Sequence, residues 1–171
     1  MRGSLTSTFL ALAACNLCWR DVEVPCHEPF ETTVVRIVDG DTLEIDPPIT
    51  MEDGSEVDRV RLLCINTPET HGTPACYGEE ASAWMVERLE GVSVTLYFAE
   101  DCTDTYQRAL AYVKDGPSLV NIELAELGYA LPIDEWFADQ PCCEEVVAAV
   151  DQARTDEVGG WAACAGYPWT E

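Results

Sequence analysis

Asp41, Asn66, Thr67 and Glu69 carry oxygen atoms that could do chemistry together, and they fall in two short runs, residues 35–43 and 60–70. The first run alternates apolar and polar residues, breaks at Asp39-Gly40 and resumes. That is the pattern of a two-residue hairpin whose turn residues tolerate positive φ, and it leaves the Asp41 carboxylate just past the turn. The second run is a strand that stops at Asn66-Thr67-Pro68-Glu69, where proline ends ladder pairing and turns the chain outward. A third run, residues 104–112, places Arg108 at the mouth of another strand. Hard oxygen donors gathered where strands stop select calcium or magnesium rather than a transition metal. Both histidines, His27 and His71, stand outside the set. His71 is close to Glu69 in sequence and reads as an exposed loop residue.

Each piece alone is ordinary, since Asp-Gly turns and Thr-Pro-Glu loops are common; what matters is the set of elements that would bring them together. Strands are expected at 33–38, 42–46 and 57–65, with 47–56 a polar loop between the last two. Residues 79–89 turn helical, because Ala81, Trp84, Met85 and Leu89 fall on one face. Alternation returns over 92–98, and 109–113 makes a fifth strand. A second helix is expected over 118–127, capped by Ser118 and ended by Gly128, and a third over 143–157 with Val146, Val150 and Ala153 on its core face. Five strands with a helix between the third and fourth is the plan of an OB-fold barrel, so the expected class is α+β, a five-stranded barrel plus three helices. Pattern alone leaves another small α+β barrel open.

In these three runs, in this order and at this spacing, the sequence resembles the thermonuclease family, whose type member is staphylococcal nuclease, over residues 33–161. The resemblance implies the OB-fold and a calcium-dependent nuclease that cleaves DNA and RNA with little sequence preference, water attacking phosphorus and the 5′ oxygen leaving. Cleaving a phosphodiester requires a cation against the phosphate charge, a positioned water, and donors that hold the transition state. By resemblance, Asp41 is a calcium ligand, Thr67 gives its backbone carbonyl to the same ion, and Glu69 positions or deprotonates the water. Arg61 and Arg108 match the two arginines that clamp the phosphate, a task for which the planar guanidinium fork suits better than lysine. Arg61 also fits a plain strand residue paired across the barrel with a carboxylate.

Two positions depart from the family. Asn66 stands where a second calcium-binding aspartate is usual, keeping an oxygen ligand but losing its charge. Gln107 stands where a glycine usually precedes the arginine. Tyr106 matches a tyrosine near the bound nucleotide and Trp136 offers a stacking face, although either also fits a packed aromatic.

The 171 residues suit one domain with a real core. Residues 1–15 run from one arginine through a short apolar stretch to Leu-Ala-Ala-Cys, too short to span a bilayer and similar to a bacterial lipobox, in which Cys15 would be acylated. A plain signal peptide cleaved nearby is the alternative. The expected organisation is a signal at 1–15, a tether at 16–31, the nuclease-like domain at 32–165 and a tail at 166–171. That makes an exported monomer, either anchored to a membrane of the cell envelope by lipid or secreted. Nine cysteines become eight with Cys15 set aside, an even number that in an exported chain implies disulfides; the spacings do not make a zinc ribbon. Most of Cys64, Cys76, Cys102, Cys142, Cys143 and Cys164 are expected to be bonded, with Cys64, inside the third strand, the first candidate among them to remain a buried thiol.

The formal charge of −23, with 32 acidic against 9 basic residues, lacks the basic footprint that usually supplies non-specific affinity for polyanions. An acidic solvated surface is one explanation. Two other functions fit the charge: a non-catalytic OB module that binds an oligomer or a protein, and a phosphodiesterase acting on a small nucleotide. Glu69 retained with both arginines favours the nuclease, since a binding module has no need of all three.

Overall fold

Strand alternation determines how the first half of this chain packs. In the computed structural model, which describes residues 18, 25–133 and 140–165, the elements run β1 (Phe30–Ile37), β2 (Thr42–Thr50), β3 (Glu56–Leu62), β4 (Ile65–Asn66), α1 (Gly78–Leu89), β5 (Ser93–Thr103), β6 (Ala109–Asp115), β7 (Ser118–Leu119), α2 (Val120–Glu126), β8 (Leu131–Pro132), α3 (Cys143–Thr155) and α4 (Gly160–Ala163). Strands β3, β2, β1, β5 and β6 lie side by side in that order, each pair antiparallel. Parallel pairing of β6 with β3 then closes the sheet on itself. This is the five-stranded OB-type barrel with α1 between its third and fourth strands, as expected. Closure removes the two edges that an open sheet would leave unpaired.

The barrel interior is filled by Val34, Leu43, Ile45, Val60, Leu62, Leu96, Phe98, Ala111 and Val113, all buried. Met85 and Leu89 of α1 and Leu124 of α2 are fully buried against them. Asn121 is a polar residue in this core and is satisfied there: its Oδ1 accepts from Val113 N at 2.9 Å and its Nδ2 donates to Leu63 O at 2.9 Å. That pair of bonds ties α2 to β6 and to the end of β3.

Several elements differ from expectation, each for a local reason. The third strand does not run to residue 65. It stops at Leu62, turns at Leu63-Cys64 with Cys64 at φ 65°, and resumes as β4, which pairs with β8 instead of the barrel. The second strand continues to Thr50 through Pro47 and Pro48, where a loop was expected. Its pairing with β3 is interrupted between Glu44 and Ile49, where the two prolines have no N–H to give. Ser118 is not a helix cap but lies in β7, which pairs back on β6 before α2 begins.

Four disulfides join Cys18 to Cys142, Cys26 to Cys102, Cys64 to Cys143 and Cys76 to Cys164. Cys64 is therefore not a free thiol. Its left-handed turn points it out of the strand path and toward the start of α3, which the alternating pattern could not reveal. Cys18 and Cys26, in the segment expected to be a tether, are both bonded to the domain.

Candidate active site

Asp41 is 6% exposed, at the end of the β1–β2 connection. That connection is four residues, Val38 to Asp41, closed by Val38 N donating to Thr42 O at 2.9 Å. It is not the two-residue hairpin expected, and Gly40 is not at positive φ. Gly40 is required for another reason: a Cβ there would lie 2.6 to 2.8 Å from the side-chain atoms of Thr67. The absent side chain lets the loop after β4 close over the β1–β2 turn.

Across this close approach the two sequence runs join. Asp41 Oδ2 accepts from Thr67 N at 2.8 Å and from Thr67 Oγ1 at 3.1 Å, and lies 3.2 Å from Arg61 Nη2. Oδ1 accepts from the Thr42 hydroxyl at 3.2 Å. Burial pushes the Asp41 carboxyl above its ordinary range, the Arg61 charge and the Thr67 bonds pull it back, and the Asp39 charge pushes it up again. A buried carboxylate in this balance stands to gain from a nearby cation.

Arg61 leaves β3 with its side chain buried. Nη1 donates to Leu62 O at 2.7 Å and Ile65 O at 2.8 Å, and Nη2 donates to Asn66 Oδ1 at 3.1 Å. The guanidinium thus holds the Leu63-Cys64 turn in shape as well as facing Asp41. From the other side, Arg108, the residue just before β6, reaches Thr42 Oγ1 at 3.4 Å through Nη1. Two guanidinium groups, one from β3 and one from the turn into β6, therefore converge on the neighbouring residues Asp41 and Thr42.

Glu69 lies two residues beyond Thr67 with an exposed side chain. Its backbone is fixed: Glu69 O accepts from Ala75 N at 2.8 Å, and a Cβ on Gly78 would fall 2.8 Å from the carbonyl oxygens of both Pro68 and Glu69. Glycine at the first turn of α1 lets that helix pack directly on the loop. Tyr106 is 79% exposed, with Arg108 Cζ 5.3 Å from its ring centroid, so it is not a packed core aromatic. His71 is exposed, bonded within its own loop to Thr70. Cys15 and Trp136 lie outside the described residues.

Asp41, Arg61, Asn66 and Thr67 thus form one bonded cluster, with Arg108 joined to it through Thr42 and Glu69 following Thr67 by two residues in the chain. Sequence reasoning missed Thr42, Gly78 and Asp104. The last was legible as an acid four residues before Arg108, and the first as the hydroxyl next to Asp41.

Hard-cation donors are present in this cluster as one carboxylate, the Asn66 amide oxygen and the Thr67 carbonyl. The N–H and hydroxyl of Thr67 are both engaged by Asp41, which leaves its carbonyl as the remaining polar group. Among the described residues no three His, Cys, Asp or Glu side chains gather in a metal-binding group. The donor set fits a cation that accepts neutral oxygens and water, as calcium and magnesium do.

Comparison with known proteins bears on the family of the chain. The profile of the family described as Staphylococcal nuclease homologue matches residues 59–163. The chain is 40% identical over 100 residues to a thermonuclease of Staphylococcus intermedius, covering 57% of this chain and 56% of that protein. It is 30% identical over 143 residues to the endonuclease YhcR of Bacillus subtilis, covering 77% of this chain and 11% of that protein. It is 33% identical over 138 residues to the endonuclease YncB of the same species, covering 75% of this chain and 60% of that protein. The chain thus spans about half the length of the thermonuclease.

Proposed function

Because the chain belongs to the staphylococcal nuclease homologue family, we propose that it is an exported, calcium-dependent nuclease that hydrolyses phosphodiester bonds of DNA and RNA with little sequence preference. The observation that carries this reading is the convergence of Arg61 and Arg108 on Asp41 and Thr42. Asp41, Asn66 and Thr67 would hold the ion, whose part is to offset negative charge on the phosphate. Arg61 and Arg108 bind the phosphate oxygens, and Glu69, exposed two residues beyond Thr67, orients the attacking water and takes its proton. Four disulfides support an oxidising, extracytoplasmic location. The lipobox-like residues 12–15 support lipidation of Cys15, which would anchor a monomer to a membrane of the cell envelope. The domain division expected at residues 15, 31 and 165 belongs to this proposal. Plasmid DNA should be degraded with calcium present and survive once a chelator is added; equal degradation in both conditions would sink the reading.

A second reading, a phosphodiesterase for small nucleotides, is favoured by a groove of about 420 Å³ beside Arg108, lined by Asp53, Glu56 and Asp58 as well as Arg59 and Tyr106. Arg59 there is already paired with Glu44 at 3.1 Å, so the wall beyond Arg108 is acidic. A higher kcat/KM on a dinucleotide than on plasmid DNA would favour this second reading.

The −23 charge makes the salt response of the nuclease unusual. The long-range field repels a polyanion, and screening acts on that field before it weakens the short contacts of Arg61 and Arg108. Cleavage of plasmid DNA should therefore rise with salt and then fall as ionic strength approaches molar. A steady decline from the lowest salt would contradict this.

Asn66→Asp is expected to tighten calcium. It places a second carboxylate beside Asp41 and against Arg61 Nη2, which now bonds Asn66 Oδ1 at 3.1 Å. The calcium midpoint of cleavage should drop, with a smaller effect on the rate at saturating calcium. An unmoved midpoint would argue against Asn66 as a ligand.

A further inference from the structure

We propose that Asp104 is a positioning residue for the hydrolysis, fixing which edge of the Arg108 guanidinium faces the phosphate; this rests on the reading of Arg108 as a phosphate clamp. Asp104 Oδ2 accepts from Arg108 Nε at 2.7 Å and lies 2.6 Å from Nη2. The other oxygen, Oδ1, accepts the backbone N–H of Tyr106 at 2.9 Å and of Arg108 at 3.0 Å. One carboxylate therefore both builds the turn that leads into β6 and holds the side chain of the residue that ends it. The turn passes through Gln107 at φ 62° and is closed by Asp104 N donating to Arg108 O at 3.0 Å.

The consequence for Arg108 is orientation. A guanidinium carries five N–H donors in one plane. Asp104 engages Nε and Nη2, two corners of that plane, so the group cannot rotate about its long axis. What remains is the Nη1 edge, and that edge lies toward Thr42 Oγ1, next to Asp41. The Tyr106 ring lies against Arg108 as well, with Cζ 5.3 Å from its centroid. The phosphate thus meets a donor edge that is already aimed, and less conformational freedom is lost in the transition state. Asp104 also offsets part of the Arg108 charge, so its removal has two opposite effects: a stronger pull on any phosphate and a poorer aim at the reacting one.

Asp104→Asn separates these effects. The amide oxygen can still accept from the Tyr106 and Arg108 backbone, while the amide nitrogen replaces the acceptor that faces the guanidinium. The expected result is a kcat lower by up to about 100-fold, the scale of a small misplacement of a reacting group, with KM unchanged or lower and the thermal melt within a few degrees of wild type. Asp104→Ser, whose hydroxyl can still serve the turn, should act the same way and serves if the first variant is poorly folded. In an Arg108→Ala background, neither change should lower kcat further. If the Asp104 variants lower kcat equally with and without Arg108, or raise KM and leave kcat alone, Asp104 does not act by aiming Arg108. If Arg108→Ala itself retains full activity, the clamp reading falls and this inference with it.

Discussion

Glu69→Gln is expected to slow calcium-dependent cleavage by about 10² to 10⁴-fold, the usual contribution of a positioned general base. The substitution keeps the side-chain volume and removes the negative charge that would orient a water and accept its proton. The fold should not register it. The Glu69 side chain is exposed, and its backbone is held by the Ala75 bond and by the packing of Gly78, neither of which involves the carboxylate. A rate assay on plasmid DNA alongside a thermal melt checks both halves. Full calcium-dependent cleavage by the variant would show that the role assigned to Glu69 is wrong here.

Reduction of the four disulfides is expected to unfold the domain at ordinary temperature. The bonds span 124, 76, 79 and 88 residues, long loops whose closure restricts the unfolded chain most in the chain-entropy account. At about 2 to 4 kcal/mol each, they together match the whole stability of a typical domain, about 5 to 15 kcal/mol. The single pair Cys26→Ser with Cys102→Ser should lower the melting temperature by roughly 4 to 16 °C, given about 2 to 4 °C per kcal/mol for a chain of this size. Circular dichroism melts with and without a reductant measure this. A reduced and alkylated protein that melts where the native one does would overturn it.

The barrel was legible because its signal is local. Period-two alternation over β5 and the helical face of α1 are written in neighbouring residues, and the burial of Val94, Leu96, Phe98 and Met85 follows the pattern directly, whereas in β1 the irregular pairing after Val34 leaves Val35 exposed. The misjudged places depend on residues far apart in sequence. Gly40 looks like a turn glycine until Thr67 is brought against it. Cys64 looks like a strand thiol until its partner Cys143 arrives 79 residues later. At the site, Asp41, Arg61, Asn66 and Thr67 were each marked in the sequence, but Arg61 was expected only to face a phosphate or a carboxylate. In the structure it also holds the Leu62 and Ile65 carbonyls, because a buried guanidinium needs acceptors for its donors and the broken strand provides them.

The bond between Cys18 and Cys142 has a mechanical side. Tension applied at the N-terminal end of the chain reaches the described fold first at Cys18, where a covalent link leads directly to the residue preceding α3. A second link, Cys26 to Cys102, enters β5 just before β1 begins. Load is therefore shared into the helical side and the barrel wall before the hydrogen bonds of β1 can be peeled one by one. The first barrel strand, which carries the chain into the Asp41 turn, is shielded from a pull along its own length.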